Sequence, residues 1–199
     1  IEVFGLENFF EDEIEKTVFI SKEQLQDLSS EKLYGKYYKD SYIYNIFPKV
    51  LEANGDFLCD VKETGEKPEE EGFSAVKTEN GLEFYDDGKK LKVESYGLYQ
   101  SIFSRNKGIL ETDRMQNKRA VILGCGSVGS LVAMELARSG VGHFLLSDPD
   151  IVEYHNLCRH QCGIEDVGDL KIHALTRKLL NINPNVEIDT FEGIIQNMP

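Results

Sequence analysis

The sequence predicts an α/β fold with a mainly parallel sheet over residues 119–199, preceded by a small α+β domain. Three features predict it. An apolar run at residues 120–123 leads directly into the glycine-rich turn Gly124-Cys125-Gly126-Ser127-Val128-Gly129, and then into residues 131–138, which are good helix formers. A second apolar run at residues 143–147 follows and stops at Asp148. Further on, Ile172, Leu175 and Leu179 recur at helical spacing, residues 181–184 break the pattern, and residues 186–191 alternate as a strand does. Short strands alternating with helices build parallel sheets, because a parallel pair needs a long crossover.

Residues 1–95 read as the small α+β domain, an accessory to the sheet that follows. Ser21, with Glu23 and Gln24 after it, resembles a helix start, and Leu25, Leu28 and Leu33 would give that helix an apolar face, so helical patterning is assigned to residues 21–38. Strands are expected at residues 18–20, 56–61 and 81–85. Residues 62–72 (KETGEKPEEEG) are polar, charged and broken by Pro and Gly, which predicts a mobile loop. Residues 96–118 are expected to link the two parts.

Composition narrows the function classes. The formal charge of −13 falls almost wholly on residues 1–95, which argues against nucleic-acid binding there. No apolar run approaches the ~20 residues that span a bilayer, and no secretory leader is visible, so membrane association is not expected. Four cysteines are too few for a disulfide framework, which points to a reducing, cytoplasmic setting.

The motif with chemistry in it is the GxGxxG turn between strand and helix. Gly124, Gly126 and Gly129 let the backbone approach a phosphate, and the N-terminus of the following helix offers free N–H donors and partial positive charge. Asp148, at the end of the second strand, is placed to accept from ribose hydroxyls. The fold is therefore Rossmann-like and nucleotide-binding, but these two features alone suit NAD as well as ATP.

DPDIVEYHNLCR (residues 148–159) and DVGDLK (166–171) resemble the DxDxVxxxNLxR and GxxK signatures of the ubiquitin-activating (ThiF/MoeB/HesA-type) adenylyltransferase family, in the same order and near the same spacing. Phe103, Ser104, Arg105 and Asn106 resemble that family's YSRQ or YSRN segment, which in dimeric bacterial members carries an arginine into the partner's active site. The resemblance covers residues 103–192. It implies ATP-dependent adenylation of a C-terminal carboxylate on a ubiquitin-like or sulfur-carrier protein or a ribosomal peptide, giving an acyl-adenylate and pyrophosphate. It implies Arg159, Lys171 and Arg105 as the catalytic cations, and Gly124, Gly126, Gly129, Asp148, Asp150 and Asn156 as the nucleotide-binding set. It further implies a homodimer and, as in peptide-modifying members, a substrate-clamping role for residues 1–95.

Such chemistry needs cations, because joining a carboxylate to the α-phosphorus of ATP brings two anions together. The sequence also departs from the family. His160 stands where Gln usually follows the arginine of NLxR. The family's magnesium-binding aspartate, and any catalytic cysteine or zinc-binding CxxC pairs, would fall beyond Pro199. Residues 119–199 therefore read as the N-terminal half of an adenylation domain, and the chain is expected to be inactive alone. No metal ligand is assigned within it.

Blander readings apply elsewhere. Cys125 reads as a packing residue under the turn, and Cys158, His160 and Cys162 lack the paired spacing of a structural zinc site. His143, His155 and His173 carry no assigned role. The alternatives are an NAD-dependent oxidoreductase domain, which leaves Asn156, Arg159 and Lys171 unused, and a non-catalytic scaffold of the same fold.

Overall fold

The structure is a computed structural model that describes residues 15–106, 108 and 111–197. The chain divides into two compact units, residues 1–96 and 97–199.

Among its described residues, the first unit is built on an eight-stranded mixed sheet. Its strands are β1 (Thr17–Ser21), β2 (Lys32–Tyr38), β3 (Ile43–Ile46), β4 (Asp56–Lys62), β5 (Phe73–Thr78), β6 (Gly81–Asp86), β7 (Lys89–Lys90) and β8 (Lys92–Tyr96), in the order β7-β6-β5-β4-β2-β3-β1-β8. β1 runs parallel to both β3 and β8, whereas β2 is antiparallel to its neighbours β3 and β4. Val18, Ile20, Leu33, Ile46, Ala75 and Phe84 fill the core. A stack of Tyr37, Tyr44 and Phe73, with ring centroids 4.2 and 4.1 Å apart, packs beside them. The three expected strands at 18–20, 56–61 and 81–85 are β1, β4 and β6, and the polar run 62–72 connects β4 to β5.

The helix expected over residues 21–38 is corrected. Ser21 does cap a helix, accepting from the Gln24 N–H at 3.1 Å, but α1 covers only Lys22–Leu25. Asp27 ends it by taking the Ser29 N–H and hydroxyl on one carboxylate oxygen, a side-chain turn that competes with helical hydrogen bonds. The chain then enters β2, where Leu33 and Gly35 are buried on one face and tyrosines supply β-propensity. Leu33 lies two residues from Gly35 on a strand face, not on a helical stripe.

The second unit begins with α2 (Leu98–Ile102) and α3 (Thr112–Met115) and continues as β9 (Arg119–Leu123), α4 (Ser127–Arg138), β10 (His143–Ser147), α5 (Lys171–Ile182) and β11 (Glu187–Phe191). The three strands form a parallel sheet in the order β11-β10-β9. This is the α/β, Rossmann-like arrangement the glycine turn and periodicity predict. Ile122, Phe144 and Leu146 of the sheet pack against Ala133, Met134 and Ala137 of α4 and Ile172, Leu175 and Leu179 of α5. Burying aliphatic side chains of this kind stabilises by roughly 1.5–3 kcal/mol each.

α4 ends as its sequence suggests. Gly140, with φ +93°, follows the cap, its N–H bonds to the Ala137 carbonyl, and the Val141 N–H reaches the Leu136 carbonyl, which together make a Schellman closure. Residues 97–106 are folded as part of this unit: Phe103 is buried against Tyr99, and Asn106 Nδ2 donates to the Arg138 carbonyl at 3.0 Å.

Candidate functional site

The C-terminal ends of β9 and β10 open onto a shallow cleft of about 560 Å³. That is where ligands bind in open α/β sheets, and the volume lies in the range of small-molecule sites. Gly124, Gly126, Gly129, Asp148, Asp150 and Lys171 all line it, with an apolar wall from Leu123, Val128 and Val132. A smaller cavity of about 170 Å³ lies at the opposite ends of the strands, near Arg119, His143 and Glu187.

Two glycines are required by the local geometry. Gly124 has φ +87°, a left-handed conformation that side chains disfavour. A Cβ on Gly129 would lie 1.8 Å from the Gly124 carbonyl oxygen, so helix and turn can approach only there without a side chain. Gly126 is different. It is the N-cap of α4, and a Cβ on it would meet nothing within 4 Å, so open space lies in front of the first turn of the helix. The first N–H groups of any α-helix lack a carbonyl one turn earlier, and the residues that carry them here, Ser127, Val128 and Gly129, line the cleft, an arrangement suited to phosphate oxygens.

Asp148 is only 6% exposed and anchors the turn. Its Oδ2 accepts from the Cys125 N–H at 2.7 Å and its Oδ1 from the Asp150 N–H at 2.9 Å. A carboxylate has about four lone-pair positions, so it retains capacity for a ribose hydroxyl. Lys171, the first residue of α5, is 9% exposed, and its Nζ lies 2.7 Å from Asp150 Oδ2 and 4.0 Å from Asp148 Oδ1. The ammonium is thus held at the cleft by two carboxylates.

Asn156 is buried in the 3-10 turn Tyr154–Asn156, where its Oδ1 accepts from the Glu153 N–H at 3.0 Å. That contact uses the acceptor end of the amide and not its NH2 donor. Arg159 is exposed, with Nη1 3.4 Å from the His155 carbonyl oxygen, and Arg105 is exposed in the turn after α2. The cleft therefore gathers six of the nine expected residues, while Asn156, Arg159 and Arg105 are not among those lining it.

The cysteines near the site are not activated. Burial pushes the Cys125 thiol up to about 12 and the Cys162 thiol up to about 11, with Asp148 and Asp166 respectively adding to the rise. Cys125 thus behaves as packing. Among the described residues, no group of three or more His, Cys, Asp or Glu side chains is arranged to hold a metal ion. His160, which the sequence marks as a departure from the family and weighs as a metal ligand only to set aside, is buried and places Nε2 2.6 Å from the Cys125 carbonyl oxygen. The signal that could have singled it out is an imidazole in the NLxR segment where an amide is usual.

Over 90 residues the chain is 38% identical to the tRNA threonylcarbamoyladenosine dehydratase of Bacillus subtilis (strain 168), covering 43% of this chain and 35% of that protein. Over 82 residues it is 38% identical to the ubiquitin-like modifier-activating enzyme 5 of Drosophila ananassae, covering 41% of this chain and 21% of that protein. The chain thus spans about a third or less of these relatives. Among solved structures, E. coli MccB with ATP matches with a TM-score of 0.45 and 33% identity, over 51% of this chain and 34% of that one. The ThiF family profile matches residues 100–198, which contain the glycine turn, Asp148, Asn156, Arg159 and Lys171, and through this segment the chain belongs to the ThiF family.

Proposed function

We propose that the second unit binds ATP and takes part in adenylating a carboxylate, the C-terminus of a ubiquitin-like or sulfur-carrier protein or of a ribosomal peptide. The observation that carries the reading is Lys171, a nearly buried ammonium on the same cleft as the glycine turn and Asp148. The dehydrogenase reading leaves Lys171, Asn156 and Arg159 without an assigned role. Membership of the ThiF family, and relatives named for modifier activation, support the same choice.

In this reading the α4 N-terminus and the glycine turn hold phosphate oxygens, and Asp148 accepts from the ribose. A carboxylate oxygen attacks the α-phosphorus, the bond to the bridging oxygen breaks, and pyrophosphate leaves with its electron pair. Charge builds on the phosphoryl oxygens as this happens, so a preorganised cation lowers the barrier more than it tightens ground-state binding. Lys171 meets that need from the cleft, and Arg159 and Asn156 close on the phosphates when they are present. Arg105 reaches the site of a second copy in a homodimer. A magnesium ion bound with the triphosphate would neutralise part of its charge, and residues 1–95 bind the acyl substrate.

Calorimetric titration with Mg·ATP and with NAD tests the reading. Mg·ATP binding that weakens about 10- to 100-fold in Lys171→Ala, as loss of one charge-assisted hydrogen bond requires, supports it. Asp148→Ala and Arg159→Ala are expected to weaken it as well. NAD binding that is indifferent to Lys171 and Arg159 would overturn it in favour of a dehydrogenase domain.

A further inference from the structure

His160 joins two segments that the proposed nucleotide site needs together. Its Nε2 lies 2.6 Å from the Cys125 carbonyl oxygen, and its Nδ1 lies 3.1 Å from the Cys162 backbone N. Each partner has one possible role. A carbonyl oxygen only accepts, so Nε2 carries the proton; a backbone N–H only donates, so Nδ1 is bare. The two contacts therefore fix the neutral Nε2–H tautomer.

The consequence for the turn is specific. Both main-chain polar atoms of Cys125 are taken by side chains, the N–H by Asp148 and the carbonyl by His160. These atoms belong to the two peptides flanking the Cys125 Cα, and the second of them also carries the N–H of Gly126, the N-cap of α4, so the His160 contact orients the chain where it enters the helix. His160 is also tied to the turn that bears Asn156, because its own N–H bonds to the Asn156 carbonyl at 2.9 Å, as does that of Arg159 at 3.0 Å. One imidazole thus spaces the glycine turn from the Asn156–Arg159 segment.

We infer that His160 is a positioning residue for the phosphate cradle, acting as a donor–acceptor pair and not through charge or metal binding. The inference rests on the nucleotide reading above for its functional part, but its structural part does not. A glutamine side chain also offers one donor and one acceptor, so His160→Gln should preserve the clamp, whereas His160→Leu fills similar space and has neither.

Three measurements test it. In the wild-type protein at pH 8, nitrogen-15 NMR of the histidines should show one with a bare Nδ1 and a protonated Nε2 that is protected from exchange; the opposite tautomer at His160 would overturn the proposal without any variant having to fold. Amide exchange at residues 124–128 of the nucleotide-free protein should quicken in His160→Leu and stay near wild type in His160→Gln, and equal exchange in all three overturns it. For Mg·ATP, His160→Leu should raise the Kd by about tenfold or more, since two buried backbone groups lose their partners, while His160→Gln stays within about threefold. Equal losses in both variants overturn the donor–acceptor role. If the wild-type protein binds no Mg·ATP while the tautomer and exchange results hold, it is the nucleotide reading that fails and the clamp that stands.

Discussion

At the scale of single residues, exposure and local chemistry separate the cysteines. Cys158 is exposed, whereas Cys125 and Cys162 are buried with raised thiol pKa values. Because the thiolate is the reactive form, iodoacetamide at pH 7.5 should label Cys158 first, with Cys125 and Cys162 reacting only as the protein unfolds. Peptide mass mapping over time would show this, and early labelling of Cys125 would return it to consideration as a nucleophile. Sequence could name Gly124, Gly126, Gly129 and Asp148 because glycine spacing and a strand-terminal aspartate impose position through backbone geometry, whereas Asp150 and Lys171 came from the family resemblance alone. It could not see that Lys171 is held by Asp150 and Asp148, since an ion pair between residues far apart in sequence depends on how α5 enters the sheet. The same limit hid His160, whose partner Cys125 lies 35 residues away.

At the scale of elements, the glycine turn and α4 allow a contrast between two substitutions of equal size. Gly129→Ala forces a methyl against the Gly124 carbonyl, which is backbone and cannot step aside, so unfolding should become easier by about 2 kcal/mol or more. Gly126→Ala meets open space with φ −73°, so it should cost only about 1 kcal/mol or less as a poorer N-cap. It nevertheless places a methyl where phosphate is proposed to sit, and Mg·ATP affinity should fall about tenfold or more. Urea melts and calorimetry on the two variants would separate stability from binding, and normal affinity in Gly126→Ala would mean the phosphates lie elsewhere.

The segment before α5 depends on a second set of charges. Burial alone would raise the Asp166 carboxyl, but the Gly163 N–H and the Lys178 and Arg177 side chains outweigh it and hold the group below the ordinary carboxylate range. A depressed folded-state value means that the stabilisation is complete above the unfolded value near about 3.9 and is lost as pH falls through the folded one. The urea midpoint of the wild type should therefore drop on acidification below about pH 4, and Asp166→Asn should start lower at pH 7 and drop less. Parallel curves would show that the bridge contributes nothing to acid stability.

The same scale explains what could be read in advance. α4 was legible because residues 131–138 are good helix formers between the glycine turn and Gly140, and α5 because Ile172, Leu175 and Leu179 recur at helical spacing, although the helix runs through Ile182, into the break expected at residues 181–184. The first unit was less so. Leu25, Leu28 and Leu33 fit a helical stripe by spacing, yet Leu28 is exposed and Leu33 belongs to β2, because Asp27 closes a turn between them. Pairing of β2 between β3 and β4 is a long-range preference that a short window of sequence does not contain.

At the scale of the whole molecule, the proposal that Arg105 serves a second copy has a consequence that individual contacts do not. In a two-fold dimer with shared sites, each site would use Lys171 of one subunit and Arg105 of the other. Arg105→Ala and Lys171→Ala homodimers should then both bind Mg·ATP weakly. A mixed dimer is different: one of its sites has both substitutions, but the other combines an intact Lys171 with an intact Arg105. When the two variants are co-expressed and assort at random, half the dimers are mixed, and about a quarter of all sites should recover wild-type affinity, a fraction that titration stoichiometry reads directly. Recovery near that fraction, with light scattering at the dimer mass, places Arg105 in the neighbouring site. No recovery, from a species that is nonetheless dimeric, means that Arg105 serves its own subunit or none. A monomer by light scattering removes the shared site altogether and leaves Lys171 and Arg159 as the cations available to each cleft.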